Sequence, residues 1–273
     1  MLFIPNIIFL CLVLGCQSGG VETKYERNDL IWRALDSVSK ENLYRTVEEL
    51  QKFETRYYWK KQDEVANYLL ERFQEYDVAV GFDEYYSDNK KWKNVIATIP
   101  GKKKPEEIYM VIAHFDSISG KPEMSAPGAD DNASGTAAVL EIGRVLRKVS
   151  LDATIMLGIF SNEEQGRGGS KHFARRARES NLDIRGVINL DIIGYNDPIG
   201  SISYRSSEIE GMMQAIKLRL KSIRNRMLKF LYPDGIMVIA GRPSNKQLVK
   251  TGSALAPKYS KLKVKAIVDE GCG

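Results

Sequence analysis

Apolar segments that are separated by helical patterns constrain the fold of this 273-residue chain most strongly. Three of them begin at Ile108 ("IYMVIAH"), Ala153 ("ATIMLGIFS") and Arg185 ("RGVINLDIIGY"). The last two are apolar on both faces, which is typical of central strands in a sheet. Helical patterns lie between them at Gly135 to Lys148 and Ser170 to Glu179. This alternation predicts an α/β sandwich with a largely parallel or mixed sheet.

The remaining chain adds elements to both ends of this pattern. Apolar residues at helical spacing predict two or three helices between Tyr25 and Tyr76, and strand-like pieces begin at Val78 and Asn94. A long amphipathic helix is predicted over 207–231. Two further strands are predicted at "GIMVIAG" and "KVKAIVDEGCG".

The first 16 residues, "MLFIPNIIFLCLVLGC", indicate export. The apolar run is too short to span a bilayer and ends in small residues, as in a signal peptide. Gly15 followed by Cys16 resembles the lipobox of bacterial lipoproteins, so we expect a lipid anchor on Cys16 at the cell envelope. An ordinary secretory signal is the alternative, because no Lys or Arg precedes the run. A linker over 17–23 and a single domain over 24–273 would follow.

Composition restricts the remaining partners. The formal charge of +5 and the pI near 8.9 come from lysines and arginines spread along the chain, which favours a solvated basic surface over a nucleic-acid interface. After processing, Cys272 would be the one cysteine left, so no intrachain disulfide is expected. The sequence does not indicate an oligomeric state.

Acidic residues gather where the predicted strands end. His114 and Asp116 follow the first segment, Glu163 and Glu164 follow the second, and Asp191 lies in the third. The turn "PGADDNASG" with Asp130 and Asp131 comes between the first two. Taken singly, these residues also suit a core histidine, a helix N-cap, a turn or a solvated loop. In open α/β sheets, however, the carboxyl ends of the strands form the ligand site, and this donor set suits zinc or a similar divalent ion.

The motifs "HFDS", "PGADDNASG", "SNEEQGRGGS" and "NLDIIGY" together resemble the central motifs of the M28 zinc peptidases. That family includes secreted bacterial aminopeptidases and is related to glutaminyl cyclases. The resemblance covers about Val111 to Tyr195. It implies a three-layer α/β/α sandwich with a central mixed, largely parallel sheet, and a zinc-dependent hydrolase that acts on the N-termini of peptides or proteins.

The resemblance also implies a role for each residue. The metal ligands would be His114, Asp131, Glu164 and Asp191, with Asp131 bridging two zinc ions and a cis peptide following it. Asp116 would orient His114. Glu163 would be the general base that takes a proton from the attacking water and returns it to the leaving amine. Because successive residues at a strand end point in opposite directions, we expect Glu163 and Glu164 to divide these tasks.

One part of the family pattern has no counterpart. The second metal site of the family needs a histidine near the C-terminus, and the two histidines here are His114 and His172. His172 is expected to be an exposed residue on a helix that leads away from the site. We therefore expect a chain that lacks its C-terminal end, one well-bound zinc ion and impaired turnover. A glutaminyl-peptide cyclotransferase and a non-catalytic binding protein on the same scaffold are the alternatives.

Overall fold

The computed structural model describes residues 29–194, 236–241, 254 and 263–268. The predicted signal peptide, the linker and the long helix over 207–231 lie outside the described residues, as does Cys16. The elements, in chain order, are α1 Asp29–Asp36, α2 Lys40–Gln51, α3 Trp59–Glu75, β1 Ala79–Ser87, β2 Lys90–Ile99, β3 Lys104–His114, α4 Gly135–Leu146, β4 Ala153–Phe160, α5 Gly168–Glu179, β5 Asp183–Asn189, β6 Ile236–Gly241 and β7 Lys263–Val268.

The chain divides after Gly194 into two compact units. The first carries a five-stranded mixed sheet with the order β1-β2-β4-β3-β5. Strands β3, β4 and β5 are parallel, whereas β2 runs antiparallel to both of its neighbours. In the second unit, β6 and β7 form a parallel pair. The predicted domain limits of 24–273 stay a prediction.

Helices cover both faces of the sheet. On one face, α4 and α3 pack against β2, β3 and β4. Gly143 of α4 lies so close to α3 that a Cβ there would be 2.8 Å from Phe73 Cε1. On the other face, Phe173 and Ala177 of α5 pack into a buried cluster with Met110 and Phe160. The three-layer α/β/α sandwich with a mixed sheet is therefore confirmed.

Strand β4 is central, as its apolar sequence predicts, and nearly all of it is buried. Strand β5 differs from the prediction, because it is the outer strand in the described part of the sheet and its Val187 is 41% exposed. An apolar sequence shows that a strand favours burial, but it does not determine how many of its edges are paired. In the described part of the chain, no helix combines the length and the hydropathy that crossing a membrane requires.

Candidate metal centre

His114 is the centre of the acidic cluster. It ends β3, and its side chain is buried with only 5% exposed. Its Nε2 atom lies 3.2 Å from Asp131 Oδ1 and 3.5 Å from Asp191 Oδ1. These three residues each offer a ligand atom within 4.8 Å of the others. The strand end, the turn before α4 and the segment after β5 therefore contribute to one site.

A second group of ligand atoms shares the same histidine. His114, Glu163 and Glu164 also bring one ligand atom each within 4.8 Å of one another. The structure thus brings together the five predicted residues of these two groups, all of them around His114. Its geometry does not separate the tasks of Glu163 and Glu164, so their division between ligand and base stays a prediction.

Asp116 binds the backbone of the two glutamates. It is fully buried, and its Oδ1 and Oδ2 atoms accept hydrogen bonds from the backbone N–H groups of Glu163 (2.9 Å) and Glu164 (3.0 Å). Its Oδ1 atom also lies 3.4 Å from His114 Nδ1. The strand-alternation argument for the glutamates was wrong, because β4 ends at Phe160 and Asn162 has a φ of 57°. Both glutamates lie in a turn whose amides point at one carboxylate.

The turn that carries Asp131 is fixed to the end of β5. The Asp131–Asn132 peptide is cis, as the resemblance implied. The buried Asn132 side chain donates to the Leu190 carbonyl (2.8 Å) and accepts from the Gly135 N–H (3.0 Å). It therefore joins the turn to the residue that precedes Asp191. Asp130 has a different task, because its Oδ1 accepts from the Gly194 N–H at 2.7 Å.

Asn94 supports the loop of Glu163 and Glu164 from the sheet. Its Oδ1 accepts from the Ser161 N–H (3.1 Å), and its Nδ2 donates to the Gly169 carbonyl (3.1 Å) and to Asp83 Oδ2 (2.9 Å). Asn94 is fully buried in β2. One amide side chain therefore bonds to both ends of the loop over 161–169.

His172 is not an exposed residue, so that prediction was wrong. It is half-buried in α5, stacks on Tyr85 with ring centroids 5.0 Å apart, and has Nε2 3.4 Å from Asp83 Oδ1. The amphipathic pattern of α5 does not reveal this contact, because the partner lies on distant β1. His172 is in neither group of candidate metal ligands.

The donor set fits a divalent metal ion. One buried atom of the ligand groups, Glu164 Oε1, has no hydrogen-bond partner. Such atoms are rare in proteins unless an ion or a water molecule serves them. His114 Nε2 faces two carboxylates while Nδ1 faces the buried Asp116, which is the arrangement that orients a metal-binding imidazole. One imidazole among carboxylates is also a donor set that zinc accepts.

The crowded carboxylates change the protonation of the metal-free site. Burial lowers the pKa of His114, but the hydrogen bonds and charges of Asp116, Asp131 and Asp191 outweigh it and raise the pKa to about 10. Burial, followed by the charge of Asp131, raises the pKa of Glu164 to about 7. A metal ion must displace the His114 proton, so its binding weakens as the pH falls.

The stability of the metal-free protein should therefore fall as the pH rises. Both folded-state pKa values lie above the usual 6.5 of histidine and 4.5 of glutamate. The stabilisation by each proton is complete below the usual value and is lost as the pH rises through the folded-state value. Thermal unfolding of the chelator-treated protein should thus show a lower Tm at about pH 9 than at about pH 5. This decrease in Tm should be larger than the decrease in a double variant that carries both His114→Gln and Glu164→Gln. An equal change in both proteins would contradict these shifts.

Comparison with known proteins identifies the family. Residues 94–237, more than half of the chain, match the sequence model of "Peptidase family M28". The chain belongs to peptidase family M28. Leucine aminopeptidase 1 of Arthroderma gypseum is 34% identical over 193 residues, which cover 63% of this chain and 50% of that protein. A probable zinc metalloprotease of Pyrenophora teres f. teres is 30% identical over 185 residues, covering 59% of this chain and 40% of that protein. The match thus spans half or less of the length of each of these two relatives.

Solved structures support the M28 fold. LapA aminopeptidase of Legionella pneumophila aligns with a TM-score of 0.64 at 18% identity, covering 92% of this chain and 60% of that chain. A glutaminyl cyclase of Bacteroides thetaiotaomicron aligns with a TM-score of 0.51 at 18% identity, covering 85% and 78%. At these identities the likeness shows the fold alone.

Sequence reasoning missed two buried residues of the site, Arg56 and Asn94. Asn94 opens the segment "NVIATIP", where a polar residue before an apolar run resembles an ordinary strand start. Arg56 lies in "FETRYYWK", between two helices, and its full burial has no signal in that sequence.

Proposed function

We propose that this M28 chain is a zinc-dependent aminopeptidase that acts on the N-termini of peptides or proteins. The observation that carries the proposal is the convergence of His114, Asp131 and Asp191 on one point, with the Glu163 and Glu164 turn beside it. The names of the matched relatives, a leucine aminopeptidase and zinc metalloproteases, support zinc as the metal and peptides as the substrate.

The residues of the chain would divide the work as follows. His114, Asp131 and Asp191 would hold the zinc ion, which when bound polarises the scissile carbonyl and makes water more acidic. The Glu163 carboxylate would take a proton from the attacking water and donate it to the leaving amine. Asp116 would keep the Glu163 backbone fixed through its hydrogen bond, so that the base does not have to be ordered during the reaction.

The described residues support one tightly held ion. Both groups of ligand atoms use His114, and the nitrogen that faces Asp131 and Asp191, Nε2, can bind only one ion. The group with Asp131 and Asp191 keeps three protein ligands when Glu163 is reserved as the base. We therefore propose one well-bound zinc ion per chain for these residues.

Glutaminyl cyclisation is the second candidate reaction on this scaffold. The resemblance implies that cyclases use a single metal held by the counterparts of Asp131 and Glu164 and by the same C-terminal histidine that has no counterpart here. In this chain Asp191 lies 3.5 Å from His114 Nε2, which favours the site of His114 and Asp131 that peptidases use. The likeness to a solved cyclase shows the fold and does not favour this reaction.

Metal removal tests the proposed function. The purified chain should release the N-terminal residue of a free-amine peptide, and dialysis against a chelator should abolish that release. Stoichiometric zinc should restore it, and elemental mass spectrometry of the loaded, desalted protein should find about one zinc per chain.

Two substrate controls separate the alternatives. An N-acetylated copy of the same peptide should be resistant, because an aminopeptidase requires the free amine. An N-terminal glutamine peptide should lose the residue and not ammonia. Ammonia release would establish cyclisation instead, and zinc binding with no reaction on these substrates would contradict the proposed aminopeptidase activity of this chain.

We also propose that the protein is exported and anchored to the envelope through a lipid on Cys16. This proposal is supported by the sequence of residues 1–16, which lie outside the described structure. Secretion without an anchor is its alternative. Fractionation of expressing cells distinguishes the two, because an anchored protein sediments with membranes until detergent is added.

A further inference from the structure

Arg56 is an unusual feature of the molecule, because a whole guanidinium group is buried. It lies between α2 and α3 and has 0% exposure. Burial lowers its pKa to about 10, while the nearby charges of Asp116 and Asp131 oppose that change. The group therefore remains charged at neutral pH. Burying a charge is costly unless its donors are all satisfied, so the position of Arg56 requires an explanation.

Three of the four hydrogen-bond acceptors of the Arg56 guanidinium are backbone carbonyls of the segments that carry the metal-site residues. Its Nε donates to the Phe115 carbonyl at 2.6 Å, and Phe115 lies between His114 and Asp116. Its Nη1 and Nη2 donate to the carbonyls of Pro127 (2.7 Å) and Gly128 (2.9 Å), which begin the turn of Asp131.

A fourth bond anchors Arg56 itself. Its Nη1 also donates to the Leu50 carbonyl in α2, at 3.0 Å. Among the described residues, this guanidinium donates no hydrogen bond to a carboxylate. The carboxylate oxygens of the site therefore stay available to a metal ion. The planar fork thus spans three backbone segments, which a lysine ammonium cannot do.

The turn lies directly against the guanidinium. A Cβ on Gly128, where φ is 48°, would be 2.7 Å from Arg56 Nη2 and 2.6 Å from Ser117 Cβ. Ser117 makes a second link, since its Oγ accepts from the Arg56 N–H (3.1 Å) and donates to the Ala126 carbonyl (2.6 Å). Both links join the segment after β3 to the segment before Asp131.

We propose that Arg56 is a positioning residue of the metal centre. It sets the distance between the segment of His114 and Asp116 and the turn of Asp131 through its hydrogen bonds to both. It does not touch the reacting atoms. This inference rests on the proposed function, because it requires that these residues bind a metal ion.

The test compares zinc affinity in the full chain with its stability. Zinc Kd values are measured by competition with a chromophoric chelator, well below the unfolding temperature. Arg56→Met should weaken zinc binding by about 10- to 100-fold, the usual effect of losing a group that orients ligands. Arg56→Lys should not restore the affinity, and the visible spectrum of its cobalt-loaded form should differ from that of the wild type.

Arg144→Met is the matched control. Arg144 also binds a backbone carbonyl, that of Ser37, and it pairs with buried Glu141, but it lies towards the C-terminal end of α4. This variant should lower the Tm and leave the zinc Kd and the cobalt spectrum as in the wild type. It separates loss of stability from loss of metal-site geometry.

The proposal is overturned if Arg56→Met loses stability as Arg144→Met does but binds zinc like the wild type. Restoration of affinity by Arg56→Lys would also overturn it, because charge alone would then suffice. If neither Arg56 variant folds, the Ser117→Ala variant is tested instead, because Ser117 joins the Arg56 backbone to the segment before Asp131. A higher zinc Kd in this variant supports the proposed link between the two segments, and an unchanged Kd contradicts it. The wild-type titration comes first, and absence of zinc binding there would refute the proposed function and, with it, this role.

Discussion

Glu163→Gln should abolish most of the peptidase turnover while the protein still binds zinc. The amide has the size of the carboxylate but cannot accept the proton of the attacking water. Loss of general acid–base assistance lowers kcat by about 10²- to 10⁴-fold. The zinc Kd should change little, because the group of His114, Asp131 and Asp191 does not include Glu163. Initial rates on a free-amine peptide and a zinc titration of the same preparation check both parts.

Glu84→Gln is the control for this variant, since Glu84 is an exposed glutamate of β1 that pairs with Lys91 at 2.8 Å. It should have wild-type rates. A Glu163→Gln protein with unchanged kcat would refute the role of the base. A variant that loses zinc together with activity would instead place Glu163 among the ligands, which the geometry of the second group permits.

Asp116→Asn should disrupt the site although the two side chains have nearly the same shape. The neighbours of Asp116 are the N–H groups of Glu163 and Glu164 together with His114 Nδ1. A carboxylate accepts from both N–H groups and presents only acceptor atoms to His114 Nδ1, whereas the NH₂ group of asparagine must face at least one donor. An unsatisfied buried donor costs about 1–3 kcal/mol in the free energy of unfolding. The zinc Kd should rise about 10- to 100-fold.

Denaturant unfolding and zinc titration of the Asp116→Asn protein measure these two effects. Asp152→Asn is a suitable control, because Asp152 is a partly exposed residue that pairs with Lys103 at 3.2 Å. It should leave the zinc Kd unchanged. Wild-type zinc affinity in the Asp116→Asn protein would show that the carboxylate does not orient His114.

The strands were predictable because their apolar residues are contiguous in the sequence. The segments at Ile108 and Ala153 became β3 and β4, and the late segments became β6 and β7. The direction of β2 was not predictable, since a strand has the same apolar pattern whether its neighbour is parallel or antiparallel. The outer position of β5 was missed for a related reason, because pairing depends on strands elsewhere in the chain.

The grouping of the site residues was predictable from the rule that ligands lie at the carboxyl ends of parallel strands. His114 and the Glu163 turn follow neighbouring parallel strands, and Asp191 follows the third. The support behind them was not predictable. Arg56 bonds to carbonyls 59 to 72 residues away, and a carbonyl is present at every residue, so its partners leave no mark on the sequence.

The position of β4 has a consequence for how the molecule is made. This strand pairs with β2 on one side and β3 on the other, although both precede it in the chain. During synthesis, one edge of the β1–β2 hairpin and one edge of β3 therefore stay unpaired until β4, which ends at Phe160, has left the ribosome. Such edges are prone to intermolecular pairing. Asp191, which completes the candidate group of metal ligands, emerges later still, so that group cannot form until all of β4 has been synthesised.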